Sequence, residues 1–330
     1  MFKKFSLIAA AGVISLALTA CTPMGDATPT EVTVVTHDSA AFTDEVIAEF
    51  KSQTGITIKQ IKAGDTGAMT NKLVLTKDAP IGDVVYGIDN TFSGVATENE
   101  IIDGELAPVN FGDVCFNYDK AWFANNEQPA PTSIKDLTKP AFKGLTVLTN
   151  PTTSSPGLAF LAATVDMFGE NGWEQYWTAL KANEVKVSAG WEDAYFTEFS
   201  GSSGKGNYPI VLSYSSSPAF EIRESGDFAG ESQTATIDDG CFRQTEYVGV
   251  LKNAKNPTAA KKFAEFLLTE SFQKTLADTM YVYPILATVE LPKAWADFAP
   301  PAKNTFGGAL DISKNRKVWL SKWSEIFAVN

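Results

Sequence analysis

Between residues 31 and 86 the chain alternates short apolar strands with helix-period runs, and that rhythm restricts the fold more than any other feature of its 330 residues. Glu31 to Val35 (EVTVV) is β-branched and strand-like. Ser39 is a plausible N-cap for a helical run through Phe50, which Gly55 stops. Ile56 to Ile61 (ITIKQI) alternates as a second strand, Met69 to Leu75 has helical spacing, and Asp83 to Tyr86 (DVVY) has the unbroken apolar character of a buried strand. Strands separated by helices in this way imply a mostly parallel sheet, and hence the α/β class.

The alternation resumes further on. Asp113 to Tyr118 is a strand, and the polar, Pro-rich stretch 125–131 marks a change of character, so a crossing between lobes is placed near Cys115. Ser133 to Leu137 opens a helix and Thr146 to Leu148 is a strand. Helices are expected over Pro156 to Phe168 and Trp173 to Lys181, followed by strands at Pro209 to Tyr214 and Phe242 to Leu251 and an amphipathic helix at Pro257 to Leu268. Trp319, Trp323 and Phe327 recur every four residues, a stripe suited to docking on a core. No internal repeat or heptad pattern emerges. Two α/β lobes joined by strands is the economical architecture.

The first twenty residues read differently. Lys3 and Lys4 precede an apolar run (residues 5–18) that is short for a membrane span and ends in Leu18-Thr19-Ala20-Cys21, the pattern of a lipoprotein signal whose cysteine becomes the lipidated N-terminus. An ordinary signal peptide with an incidental cysteine is the alternative. Thr22 to Thr30 is a Pro/Thr-rich tether. The body is therefore expected outside the cytoplasm, at the cell surface or in a periplasm, and anchored through Cys21. In that oxidising setting Cys115 and Cys241 are expected to form a disulfide rather than remain two free thiols. If each lies on a strand connecting the lobes, the bond ties those strands together.

Charge and composition exclude several functions. With 27 basic against 39 acidic residues the net charge is −12, and it becomes −14 when Lys3 and Lys4 leave with residues 1–20. Binding led by nucleic-acid phosphates has no support, whereas a cationic ligand is favoured. His37 is the single histidine, so zinc, Fe–S and His-based acid–base chemistry lack material and no metal site is expected. Gly201 to Gly206 (GSSGKG) lacks the spacing of a phosphate loop, and Ser215 to Ser217 do not form a nucleophile elbow. Instead, two hydroxyl-rich turns open helices: Asn150 to Leu158, with Ser155 as N-cap, and Ser213 to Pro218. Each offers donors at a strand-to-helix turn, where open α/β sheets bind ligands. Gly190-Trp191-Glu192-Asp193-Ala194-Tyr195 sets aromatics beside carboxylates, which suits a cation; a core tryptophan is the alternative.

Taken as an ordered set, Thr33-Val34-Val35-Thr36-His37-Asp38-Ser39, Asp83 to Asn90 (DVVYGIDN), Asn117-Tyr118-Asp119-Lys120, Pro151 to Leu158, Gly190 to Tyr195, Val211 to Ala219 and Tyr283-Pro284 resemble the thiamine-binding proteins of bacterial ABC importers, within the type II periplasmic-binding fold. The resemblance runs from about Val32 to Trp323. It implies lobe 1 over 31–113 and 247–330, lobe 2 over 114–246, and a ligand cleft between them. Thiamine or a thiamine phosphate would be captured there by a monomer and handed to a membrane permease, without catalysis and without a cofactor. By position, Asp65 and Thr66 would touch ligand, as would Ser154 and Ser155. Trp191, near Tyr195, would stack on it. Tyr214, Ser215, Ser216 and Ser217 would supply hydroxyl and backbone contacts, and Tyr281 would stand where the family often has tryptophan. Asp38, Asp65 or Asp89 would face the thiazolium charge, and Ser154, Ser155 and the second hydroxyl turn would hold the hydroxyethyl or phosphate end. His37 and Phe220 replace frequent tyrosines. The rivals are a polyamine or ferric-iron receptor of the same fold and, further off, an enzyme built on it.

Overall fold

The computed structural model describes residues 30–328 apart from residues 204, 226–231 and 294. The segment 1–20 and Cys21 lie outside the described residues.

The expected β-α-β-α-β unit is present. Strands β1 (Glu31–Thr36), β2 (Thr57–Lys62) and β3 (Val84–Asp89) pair in parallel, with β1 in the middle. Alternation along β1 divides its side chains between two cores. Val32 and Val34 join Phe50, Phe263 and Phe266 on one face, while Val35 joins Met69, Leu73 and Phe92 on the other. The first helix is shorter than expected, Asp44–Thr54, and its N-cap is Thr43, whose hydroxyl accepts from Val46 N at 3.3 Å. Ser39 lies earlier, in a turn closed by Ala40 N on His37 O, and the stretch that follows delivers Ala40 and Phe42 to the core, so the helix starts where Asp44 and Glu45 complement its dipole. Gly55 ends it in the left-handed conformation at φ 73°.

Two long strands, β4 (Ala107–Asp119) and β8 (Thr234–Val250), link the halves of the molecule. With β5 (Thr146–Thr149), β6 (Lys186–Ser188), β7 (Ile210–Tyr214) and the two-residue β9 (Tyr283–Pro284) they complete one continuous sheet of order β2-β1-β3-β8-β4-β7-β5-β6, with β9 on β4. β3 and β7 pair antiparallel to the long strands, while β7, β5 and β6 are mutually parallel. Each half is thus a parallel three-stranded sheet with an antiparallel long strand at its inner edge. Both long strands begin well before the expected positions, because residues 107–112 and 234–241 carry too many polar and glycine residues to read as apolar runs.

The Cys115–Cys241 disulfide joins β4 to β8 where their pairing breaks step, between Val114↔Phe242 and Phe116↔Ile237. Two residues away, the wholly buried Asp113 takes a bidentate bond from Arg243 (2.8 and 2.9 Å) and a third from Ala302 N (2.8 Å). The guanidinium also lies over the Phe111 ring, 4.6 Å from its centre.

Helix Ser155–Ala182 joins the two helices expected over 156–181, broken at Gly169, whose φ of 71° and ψ of 174° no helical residue has. The Ser133 segment is a short 3₁₀ turn, Ile134–Thr138, closed by a capping box with Asp136. In the last helix, Ile312–Phe327, Trp323 meets Trp177 edge-to-face at 6.0 Å and Phe327 stacks on Trp323 at 4.6 Å, so the aromatic stripe docks on the core.

Candidate functional site

Between the two halves of the sheet lies a cleft of about 900 Å³, at the upper end of the range for small-molecule sites. Its walls come from opposite halves. The loop after β1 and the start of helix Thr66–Leu75 form one side. The start of helix Ser155–Ala182, a π-helical turn Asp193–Glu198 and the start of helix Ser217–Ser225 form the other. Gln244 and Glu246 of β8 also line it, and the stretch 279–282 closes over them.

Of the residues expected to touch ligand, Asp38, Asp65, Thr66, Ser155, Trp191, Tyr195, Tyr214, Ser216, Ser217 and Tyr281 line the cleft, together with His37 and Phe220. Asp89, Ser154 and Ser215 do not. Asp89 is wholly buried, and its Oδ1 accepts from Thr91 N, Thr91 Oγ1 and Phe92 N at 2.6–3.1 Å, which shapes the turn after β3; burial pushes its pKa up to about 6. Ser215 gives its hydroxyl to Tyr283 Oη (2.9 Å), which secures β9 on β4. Ser154 is the N-cap of helix Ser155–Ala182, in place of Ser155, but its buried hydroxyl caps nothing.

That cap is supplied from across the cleft. Asp65, itself N-cap of helix Thr66–Leu75, accepts from Thr66 N (2.7 Å) and Ser155 N (3.2 Å) on one carboxylate oxygen and from Trp191 N (2.9 Å) on the other. One anion therefore serves two helix starts and the Trp191 turn. Burial raises its pKa above the carboxylate norm against the pull of those N–H groups. The backbones meet there too: Ala68 N donates to Thr153 O at 3.0 Å, and a Cβ on Gly67 would sit 2.7 Å from the same carbonyl.

The aromatic wall is continuous. Trp191 stacks on Tyr195 at 5.0 Å and 18°, its indole N–H donates to Ser213 Oγ (2.9 Å), and Phe196 and Tyr214 meet it edge-on. Tyr195 is only 1% exposed and donates to Glu221 at 2.6 Å, so it backs Trp191 rather than presenting an open face. Phe220 meets Tyr281 edge-to-face at 5.0 Å. Tyr281 is held at φ 53°, a conformation few side chains adopt, while Ser216 Oγ bonds its carbonyl at 2.5 Å.

Facing this wall is a group that motif reading missed. Glu246 lies 3.2 Å from His37 and takes a 3.0 Å bond from Asn110. Burial alone would raise the Glu246 carboxyl and lower the His37 imidazole, but their mutual attraction outweighs it; Glu246 ends below the usual range and His37 above. Gly87 makes the pair possible, since a Cβ there would lie 2.2 Å from the imidazole. Burial and the surrounding carboxylates hold the Tyr214 phenol far above its usual pKa, so it stays protonated and donates to Gln244 at 3.3 Å. The signal for Gln244 and Glu246 was present as two polar residues at i and i+2 in a buried strand, on one face.

The family model described as bacterial extracellular solute-binding protein matches residues 84–309. The chain belongs to that family. Among relatives of this solute-binding protein, the thiamine-binding periplasmic protein of Salmonella typhimurium is 29% identical over 313 residues, covering 88% of this chain and 92% of the relative. A solved periplasmic thiamin binding protein superposes with a TM-score of 0.78 at 25% identity, over 91% of this chain and 96% of that one. A ferric binding protein from Campylobacter jejuni superposes at 0.71 with 18% identity, over 90% and 99%, and shares the fold alone. The solute-binding protein therefore has the two-lobed architecture of periplasmic binding proteins, with its cleft between the lobes, and its relatives are named as binding proteins.

Proposed function

We propose that this solute-binding protein captures thiamine in the interlobe cleft outside the cytoplasm and delivers it to an ABC importer permease, without catalysis. The observation that carries the reading is the pairing of an aromatic wall (Trp191, Tyr214, Phe220, Tyr281) with a carboxylate side (Asp38, Asp65, Glu246) in one cleft. A permanent thiazolium cation is attracted to both, by ring faces and by charge, and its aminopyrimidine offers donors and acceptors to Gln244 and the backbone. The relatives' names support the same ligand. Lobe 1 is assigned to 31–113 and 247 onward, lobe 2 to 114–246, and the protein acts as a monomer.

Spermidine and ferric iron are the rival ligands of the same fold. The test is calorimetric titration with thiamine, spermidine and ferric citrate; saturable binding of thiamine alone is expected, and silence toward thiamine overturns the reading. Trp191→Ala is expected to weaken thiamine binding about tenfold or more, with Trp191→Phe in between, as for a ring stacked on a cation at roughly 1–2 kcal/mol. Unchanged affinity in the alanine variant would leave Trp191 with a packing role only.

Cys21 is read as the lipidated N-terminus of the mature protein. Radiolabelled palmitate is expected in the wild type and not in Cys21→Ala; equal labelling of both would overturn the anchor.

A further inference from the structure

Resting on the thiamine reading, we infer that capture of the ligand cation is an exchange against a proton: His37 holds that proton beside Glu246 in the free protein and gives it up when the cation binds. Both side chains line the cleft and come from separate elements, His37 from the loop after β1 and Glu246 from the long strand β8. They are 8% and 7% exposed, and His37 Nε2 lies 3.2 Å from Glu246 Oε1. Charge holds this contact, because Nε2 is buried with no aligned hydrogen bond among the described residues. Glu246 is fixed through its other oxygen, which accepts from Asn110 Nδ2 at 3.0 Å, and the same amide donates to Tyr86 Oη at 2.5 Å.

The exchange follows from the charges. A carboxylate shielded from water needs a countercharge, and in the free protein the imidazolium supplies it, so that the pair is neutral as a whole. An organic cation in the same cleft supplies that countercharge instead. Beside it the imidazolium is a second positive charge in a shielded space, which disfavours the proton on His37. Losing the proton leaves Glu246 to the ligand and returns His37 to the neutral form that burial favours. By linkage, a ligand that lowers the His37 pKa binds more weakly as pH falls through the free protein's value, which the ion pair sets above that of an ordinary imidazole. The other titratable groups around His37 are Asp65 at the start of helix Thr66–Leu75, Asp89 at the end of β3, Asp38 beside it in the chain, and Tyr86 on β3, its ring centre 6.5 Å away. Lys62 on β2 gives its ammonium to the Asp38 carbonyl, and the Tyr214 phenol near Glu246 stays protonated. Protonation of a carboxyl at low pH weakens cation binding in the same direction, so the share of His37 is read from His37 itself.

The chain has a single histidine, so NMR of protein carrying isotope-labelled histidine, purified without a histidine tag, follows this one imidazole. With saturating thiamine its pKa is expected to fall by about one unit, which corresponds to a tenfold loss of affinity on the acid side. Calorimetry between about pH 8 and about pH 6, in buffers of different ionisation enthalpy, reads the same loss together with the release of a proton. His37→Gln is expected to flatten the affinity profile by that factor, and the NMR titration of the wild type decides the matter if the variant does not fold. Thiamine binding with the His37 pKa unchanged or raised in the complex overturns the exchange and leaves the thiamine reading standing, as does an unchanged profile in a folded His37→Gln. Silence toward thiamine at every pH overturns the thiamine reading itself.

Discussion

Replacing both Cys115 and Cys241 with alanine is expected to lower folding stability by about 3–5 kcal/mol and the thermal midpoint by about 5–10 °C. The bond closes a loop across a sequence separation of 126, so in the unfolded chain it removes a large share of the conformational freedom of everything between β4 and β8. Its site adds to this effect. Between Val114↔Phe242 and Phe116↔Ile237 the two strands are out of step, with Gly240 at φ 81°, so the ladder itself cannot hold them there. Alanine avoids leaving buried hydroxyls without partners, which serine would do at two wholly buried positions. Equilibrium unfolding of the variant beside oxidised and reduced wild type is the measurement. Reduced wild type should match the variant, and a loss below about 1 kcal/mol would mean that the packing of β4 on β8 suffices.

The second large effect concerns closure. Asp65→Ala is expected to weaken ligand binding about 100-fold, or about 2.7 kcal/mol. Its carboxylate is hydrogen-bonded to N–H groups at the opposite side of the cleft, Ser155 N and Trp191 N, and these bonds exist only when the lobes are together. Without the carboxylate the two donors are closed over with no acceptor, at a cost of about 1–3 kcal/mol each, and the closed state loses population by that amount. Asp65→Asn keeps one acceptor oxygen and should fall about midway. Titration gives the affinity, and small-angle scattering with and without ligand reports compaction. An alanine variant within threefold of wild type, compacting normally, would show that the lobes close without this tie.

The elements that were legible in the sequence are those whose signals are local. β1, β2 and β3 read as strands because β-branched residues alternate or run unbroken, and Gly55 marked a helix end because an αL cap tolerates it. The paired cysteines followed from compartment and count. Trp191 beside two acids followed from composition around one turn. Where local signals competed, reading erred by about a turn: Ser39 and Thr43 are both good caps, and only the burial of Ala40 and Phe42 in the core selects Thr43.

The site divides along the same line. Trp191, Tyr214 and Ser216 line the cleft as their turn motifs suggested, and Thr66 does so where the family resemblance put it, whereas Ser154 and Ser215 belong to the same hydroxyl-rich turns as Ser155 and Ser216 and are buried off the cleft, as is Asp89. A motif places several polar side chains near the end of a strand; which of them meets the cleft depends on the turn's geometry and on what packs behind it, as Tyr283 does behind Ser215. Glu246 and the capping of helix Ser155–Ala182 by Asp65 join residues more than 85 positions apart, to which no local pattern refers.

By itself, then, the sequence determined an α/β chain with a parallel sheet and a disulfide between Cys115 and Cys241, because periodicity, capping and cysteine count are signals that act over a few residues or none. Only the tertiary structure decided that one continuous sheet joins the halves, that His37 is held by Glu246, and that Asp65 caps the helix start at Ser155 from across the cleft. Those outcomes rest on which distant groups are brought within hydrogen-bonding distance and shielded from water, and that is a property of the folded chain.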